Sequence, residues 1–139
     1  MSDPGHLYQR WMDMWNGDLD AAGEIFAPDC VAHPAPMTTG EPPVYRGPDE
    51  MHRFVEQGRA IFATVTFRAE DAPIVDGDRL ACRWIAEGTY AGGMPGDTAA
   101  PGTPITFCGI DIWRLEEEKV MEYRVASDGL HLMAQLGVG

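Results

Sequence analysis

Between Thr103 and Gly137 apolar and polar residues alternate in a way that predicts a β-hairpin feeding a short closing helix. Ile105, Phe107, Gly109, Asp111 and Trp113 share one face of the first strand; Thr106, Cys108, Ile110, Ile112 and Arg114 share the other. Both faces carry apolar residues, as in a covered strand. After a polar turn at Glu116-Glu117-Glu118-Lys119, a second strand runs Val120 to Val125, placing Tyr123 and Val125 on the face of Asp111. A charge on that otherwise apolar face is costly unless it is paired or protonated. Asp111 is therefore the residue of this stretch that most needs a reason.

Upstream, Ser2-Asp3-Pro4 reads as a cap with proline at the first helical position. Leu7, Trp11, Met14 and Trp15 mark one helical face, and Asn16-Gly17 stops the helix. Asp18 caps a second helix packing through Leu19, Ala22, Ile25 and Phe26 and ending at Ala27-Pro28-Asp29. Cys30 to Ala32 predicts a short strand leading to His33-Pro34. Pro34 to Pro48, rich in Pro, Gly and Thr, predicts a loop carrying Tyr45. Gly47-Pro48-Asp49-Glu50 opens a long helix with a stripe at Met51, Phe54, Val55, Gly58, Ile61 and Phe62. Strands follow: Val65 to Ala69, a turn at Asp76-Gly77-Asp78, then Leu80 to Tyr90. Gly92 to Gly102 is a second Gly/Pro loop at a rim, able to act as a lid. Asp128 caps the last helix, with Leu130, Met133 and Leu136 inward. Helices first and antiparallel strands after predict an α+β fold: a cone-shaped barrel, its strongly curved mixed or antiparallel sheet wrapped around N-terminal helices. No βαβ repeat is present. A cavity inside such a cone is a natural small-molecule site.

Composition narrows the function. At 139 residues with 45% apolar content, one domain over residues 1–139 is expected. The net charge of -12 argues against nucleic acid and anionic membranes. No run approaches membrane-spanning length and no signal-peptide pattern opens the chain, so a cytoplasmic protein is expected. Cys30, Cys82 and Cys108 read as reduced, mostly buried small hydrophobes. Dinucleotide-binding, phosphate-loop, zinc and nucleophile-elbow motifs are missing, and the four histidines lack metal spacing. Neither a cofactor nor a metal is expected.

Isolated groups facing a presumed cavity remain. Asp111 in apolar surroundings should have a raised pKa, which suits proton transfer near neutral pH; its alternative is a structural carboxylate bonded to a tyrosine or a backbone N–H. His33, where a strand enters a loop, can act as a base or orient a carbonyl, or be a half-exposed loop residue. Tyr90 and Tyr123 can donate to an oxyanion or serve as aromatic lining. Trp15, Tyr45, Trp84, Phe107, Trp113 and Val125 complete the candidate ligand-binding set. Asp128 joins it, with helix capping as its plain explanation.

The segments "WNGDLDAAGEIFAPDCVAHPAP", "YRGPDEMHRFV" and "EGTYAGG", and above all "GIDIWRLEEEKVMEYRVASDGLHLMAQLG", resemble the SnoaL-like polyketide cyclases of the ketosteroid isomerase-like superfamily. The resemblance spans about residues 7–137. It implies a cofactor-free cavity, a homodimer joined through the sheets and a hydrophobic oxygenated substrate of secondary metabolism. Such cyclases close a ring by an intramolecular aldol reaction with an acid/base carboxylate late in the chain. By position, His33 and Tyr123 match polar pocket residues and Asp111 a pocket histidine. The family's catalytic aspartate corresponds to Val125, which cannot transfer a proton. The expected alternatives are a cyclase or isomerase run by Asp111 with His33, an epoxide hydrolase or epoxide-opening cyclase, and a non-catalytic binding protein. An exposed sheet face with Ile85, Cys108, Ile110 and Ile112 is the candidate dimer surface.

Overall fold

The computed structural model describes residues 3–34 and 41–138. Ser2 of the expected Ser2-Asp3-Pro4 cap and residues 35–40 of the predicted Pro34–Pro48 loop lie outside the described residues. Helix α1 (Pro4–Trp15) starts at its proline and buries Leu7, Tyr8, Trp11, Met12 and Met14. Asn16, just past its end, donates through its side-chain amide to the Phe67 carbonyl at 2.8 Å and accepts from the Phe67 N–H at 2.7 Å. This pair fixes where the helix ends against the sheet. The predicted second helix is shorter than expected. A 3₁₀ turn at Leu19–Ala21 runs into α2 (Ala22–Ile25), and strand β1 (Phe26–His33) already begins at Phe26. Ala27-Pro28-Asp29 therefore lies inside a strand. Pro28 has no N–H to give, and the ladder shifts register between Phe26 and Val31.

Strand β2 (Tyr45–Arg46) is followed by α3 (Gly47–Arg59), which buries Met51 and Val55. Then come β3 (Phe62–Ala69), β4 (Ile74–Asp76), β5 (Arg79–Tyr90), β6 (Pro104–Glu116), β7 (Lys119–Ser127) and α4 (Gly129–Leu136). The seven strands form one sheet in the order β2-β1-β7-β6-β5-β3, with β4 on β5. The β1–β7 pairing is parallel and the others are antiparallel. The expected cone-shaped, strongly curved barrel is not formed: the sheet is open, with β2 and β3 at its two edges. The physical reason is that β2 is only two residues long and the N-terminal helices, not a wrapping of strands, cover the apolar face. The α+β class and the mixed sheet packed around N-terminal helices stand.

Strand β6 alternates as its sequence predicts, but one face is uncovered. Ile105, Asp111 and Trp113 are buried, whereas Ile110 and Ile112 on the opposite face are each 45% exposed. The β6–β7 turn is tight: Glu116 pairs with Lys119 across Glu117 and Glu118, whose φ angles are +49° and +64°. Two consecutive left-handed residues are the geometry for which Asn-Gly is the preferred sequence. The double substitution Glu117→Asn, Glu118→Gly is expected to raise stability by about 1 kcal/mol, read as a higher denaturation midpoint at unchanged slope.

Candidate functional site

Asp111 is buried, 1% exposed, in the middle of β6. In register it lies opposite Cys82 of β5 and Val125 of β7. Its carboxylate accepts four hydrogen bonds. Tyr8 Oη at 2.8 Å and Trp11 Nε1 at 3.0 Å, both from α1, donate to Oδ2. Tyr123 Oη at 2.7 Å and Trp84 Nε1 at 3.2 Å donate to Oδ1. Each oxygen is thus engaged twice, by neutral donors. Burial pushes the Asp111 carboxyl up to about 6, with the four donors pulling the other way. Burial beside this carboxylate raises the Tyr8 and Tyr123 phenols, which stay protonated donors.

Asp111 lines a cavity of about 150 Å³. Six aromatic residues wall it: Trp15, Phe54, Phe67, Trp84, Phe107 and Tyr123. Their rings form an unbroken chain. Tyr123 lies 6.4 Å from Phe54, Phe54 5.7 Å from Trp15, Trp15 4.8 Å from Phe67, Phe67 6.0 Å from Trp84, and Trp84 5.3 Å from Phe107. Val125, Ser127, Pro34 and Leu132 also line the space. Of the four donors to Asp111, Trp84 and Tyr123 are lining residues and both serve Oδ1. The oxygen bonded to the lining residues is therefore Oδ1, while Tyr8 and Trp11 of α1 hold Oδ2.

Two glycines make this arrangement possible. Gly109 is the cross-strand partner of Trp84. A Cβ there would run into the Trp84 ring and come within 2.7 Å of the Ala126 carbonyl, so its absence lets the indole lie across β6 toward Asp111. Gly58 of α3 plays the same part for Trp15: a Cβ would sit 2.7 Å from Cη2 of that ring. Tryptophan walls at these two places need neighbours with no side chain.

The remaining sequence candidates lie elsewhere. His33 is half-buried at the end of β1, one residue before Pro34, and is not among the described lining residues. Tyr45 is not among the described lining residues; its ring lies tilted 5.0 Å from Phe54, and it donates to Gln57 Oε1 at 3.2 Å. Tyr90 is fully buried; its hydroxyl donates to Asp97 and accepts from the Met94 N–H, tying down the loop after β5. Trp113 is packed in the core 5.3 Å from Tyr8, with its Nε1 unpartnered among the described residues. Asp128 caps α4 by accepting the His131 N–H at 3.2 Å. Tyr8 escaped the sequence analysis although Tyr8 and Trp11 stand three apart on one helical face. Two polar-tipped aromatics at that spacing are the available sign of a buried acceptor opposite.

Among the described residues no group of three or more His, Cys, Asp or Glu side chains is placed to hold a metal ion. No helix there is long and apolar enough to cross a membrane. A search of curated proteins returned no significant match. Several solved structures are similar throughout. Wild-type IdmH from Streptomyces antibioticus is 26% identical, with a TM-score of 0.82 over 99% of this chain and 100% of that one. TsrD from Streptomyces laurentii is 21% identical, with a TM-score of 0.78 over all of both chains. A SnoaL-like protein from Jannaschia sp. CCS1 is 17% identical, with a TM-score of 0.78 over 100% of this chain and 98% of that one. The SnoaL-like polyketide cyclase family model matches residues 5–136. With that match spanning nearly all of the sequence, the chain belongs to the SnoaL-like polyketide cyclase family.

Proposed function

We propose that this chain is a cofactor-independent cyclase or isomerase of a small hydrophobic oxygenated metabolite, with Asp111 as its acid/base group. The observation that carries this reading is the buried carboxylate, raised to about 6, lining an aromatic cavity. Near neutral pH most of it is ionised, so it is a competent base. Its lone pairs are all occupied at rest, and Tyr123 supplies the way around that. If the Tyr123 O–H turns from Oδ1 to a ligand carbonyl, one motion frees an Oδ1 lone pair and places a donor on the developing oxyanion. Losing that hydrogen bond also makes the carboxylate more basic. Oδ1 then takes a proton from the carbon next to the carbonyl, and the C–H electron pair moves to form the enolate. The enolate carbon either attacks a second carbonyl of the same molecule, closing a ring, or is reprotonated elsewhere, isomerising it. The carboxylic acid returns the proton in the last step. This route needs no carboxylate at Val125, which lies directly opposite Asp111 and lines the same space.

A small aromatic ketone tests the base directly. In D₂O the wild-type protein is expected to exchange the methyl protons of acetophenone about 10²-fold or more faster than buffer, followed by NMR. Asp111→Asn should abolish the acceleration and Tyr123→Phe reduce it at least about tenfold. Exchange no faster than buffer, or unchanged in Asp111→Asn, would contradict the proposal. A second reading, ligand binding without conversion, is favoured by the saturation of all four acceptor positions of Asp111. It predicts that Asp111→Asn alters affinity while no variant, nor the wild type, accelerates exchange. We further propose a homodimer through the outer sheet face, supported by the exposure of Ile110 and Ile112.

A further inference from the structure

We infer that the cavity recognises a ligand carrying an alkylated ammonium group, the cation resting among the aromatic rings beside Asp111. The inference rests on the cavity being the ligand site, but not on turnover there. The argument begins with an imbalance of charge. Buried carboxylates are ordinarily matched by a cation. Asp111 has four donors, and every one is neutral. No Lys, Arg or His is among the described residues that line the cavity. The titratable groups facing the carboxylate are Tyr8 from α1, Cys82 from β5 and Tyr123 from β7, and burial holds all three in their neutral forms near pH 7. Ionised Asp111 is thus one positive charge short, and a ligand can supply it.

The walls suit the same guest. Six contiguous aromatic rings with few polar atoms between them favour a diffuse cation through the negative faces of their π systems. A compact, strongly hydrated ion gains little from such walls, because apart from Ser127 and the occupied carboxylate the described lining side chains are apolar or aromatic. A methylated ammonium loses little hydration on entry and fills space like a hydrocarbon. A space of about 150 Å³ takes a guest of roughly benzene size, which also describes a trimethylammonium group. An anionic ligand, by contrast, would meet the carboxylate's field across a low dielectric.

Choline and its neutral carbon isostere 3,3-dimethylbutan-1-ol separate charge from shape. Calorimetric titration of the full chain near pH 7.5 should show choline binding at least about tenfold more tightly than the isostere. The preference should persist in about 0.5 M NaCl, which screens the exposed acidic surface but not a buried carboxylate. It should shrink severalfold near pH 4.5, where Asp111 is protonated, and in Trp15→Leu, whose ring packs edge-on against Trp11 but is not one of the four donors to Asp111. Equal or weaker choline binding, a preference abolished by salt, or no binding of either probe up to about 50 mM would overturn the inference. Acetophenone exchange with no choline preference refutes the cation alone. Choline preference without exchange refutes the reaction alone.

Discussion

Asp111→Ala is expected to destabilise the protein by about 4 kcal/mol near pH 5, measured by chemical denaturation, an unusually large loss for one side chain. The substitution strands four donors at once: the Tyr8 and Tyr123 hydroxyls and the Trp11 and Trp84 indole N–H groups. A hydroxyl can rotate to another acceptor, but an indole N–H has no alternative role. At about 1–3 kcal/mol for each unsatisfied buried donor, the two indoles alone account for much of the effect. The loss also has a structural location. Tyr8 and Trp11 come from α1, Trp84 from β5 and Tyr123 from β7, so the carboxylate ties the first helix to the middle of the sheet. A loss below about 1 kcal/mol would mean that solvent replaces the carboxylate without strain.

The second large effect is on the pH dependence of stability. The carboxyl titrates near 6 in the fold and near its ordinary 3.8 when unfolded. Below about pH 3.8 it is protonated in both states and costs nothing. As pH rises toward 6 the unfolded chain releases the proton and the folded chain does not, so stability falls, and above about 6 a constant penalty of about 3 kcal/mol remains. Other carboxylates act in the opposite direction. Hydrogen bonds from Gln9 and Arg10 hold Asp13 below its usual range, so its contribution is present at neutral pH and lost on acidification. Subtracting the stability of Asp111→Asn from that of the wild type removes these shared terms. The advantage of aspartate over asparagine is expected to shrink by about 2 kcal/mol between about pH 4.5 and 7.5. The low-pH advantage also has a clear source. In either flip, asparagine turns its NH₂ toward one of the two indole N–H groups, whereas a protonated carboxylic acid still accepts from both.

Much of this was legible in the chain. The alternation of β6, the partner strand carrying Tyr123 and Val125, and the anomaly of Asp111 all follow from period-two patterning, because a strand's faces are fixed by its sequence. The α1 face was readable for the same reason at period 3.6. What could not be read was the closure of the sheet. That depends on how edge strands meet, and a two-residue β2 at the edge leaves no local mark in composition. The start of β1 at Phe26 was hidden because Ala27-Pro28-Asp29 reads as a helix terminator, and a proline tolerated by a register shift looks the same in sequence. The site shows the same division. Trp15, Trp84, Phe107, Tyr123 and Val125 line the cavity with Asp111, but Tyr90 and Asp128 turn to local partners, Asp97 and the His131 N–H. A tyrosine's hydroxyl is as easily used to pin a loop as to face a ligand, and no periodicity distinguishes the two.

The titration of the Asp111 side-chain carboxyl carbon, followed by NMR in the intact protein, probes the buried acid on which the stability and catalytic arguments both rest. A midpoint near 6, with the Tyr123 and Trp84 signals moving in step, is the predicted result. A midpoint at or below 3.8 would mean that the four donors outweigh burial, leaving a structural anion with no proton to exchange near neutral pH.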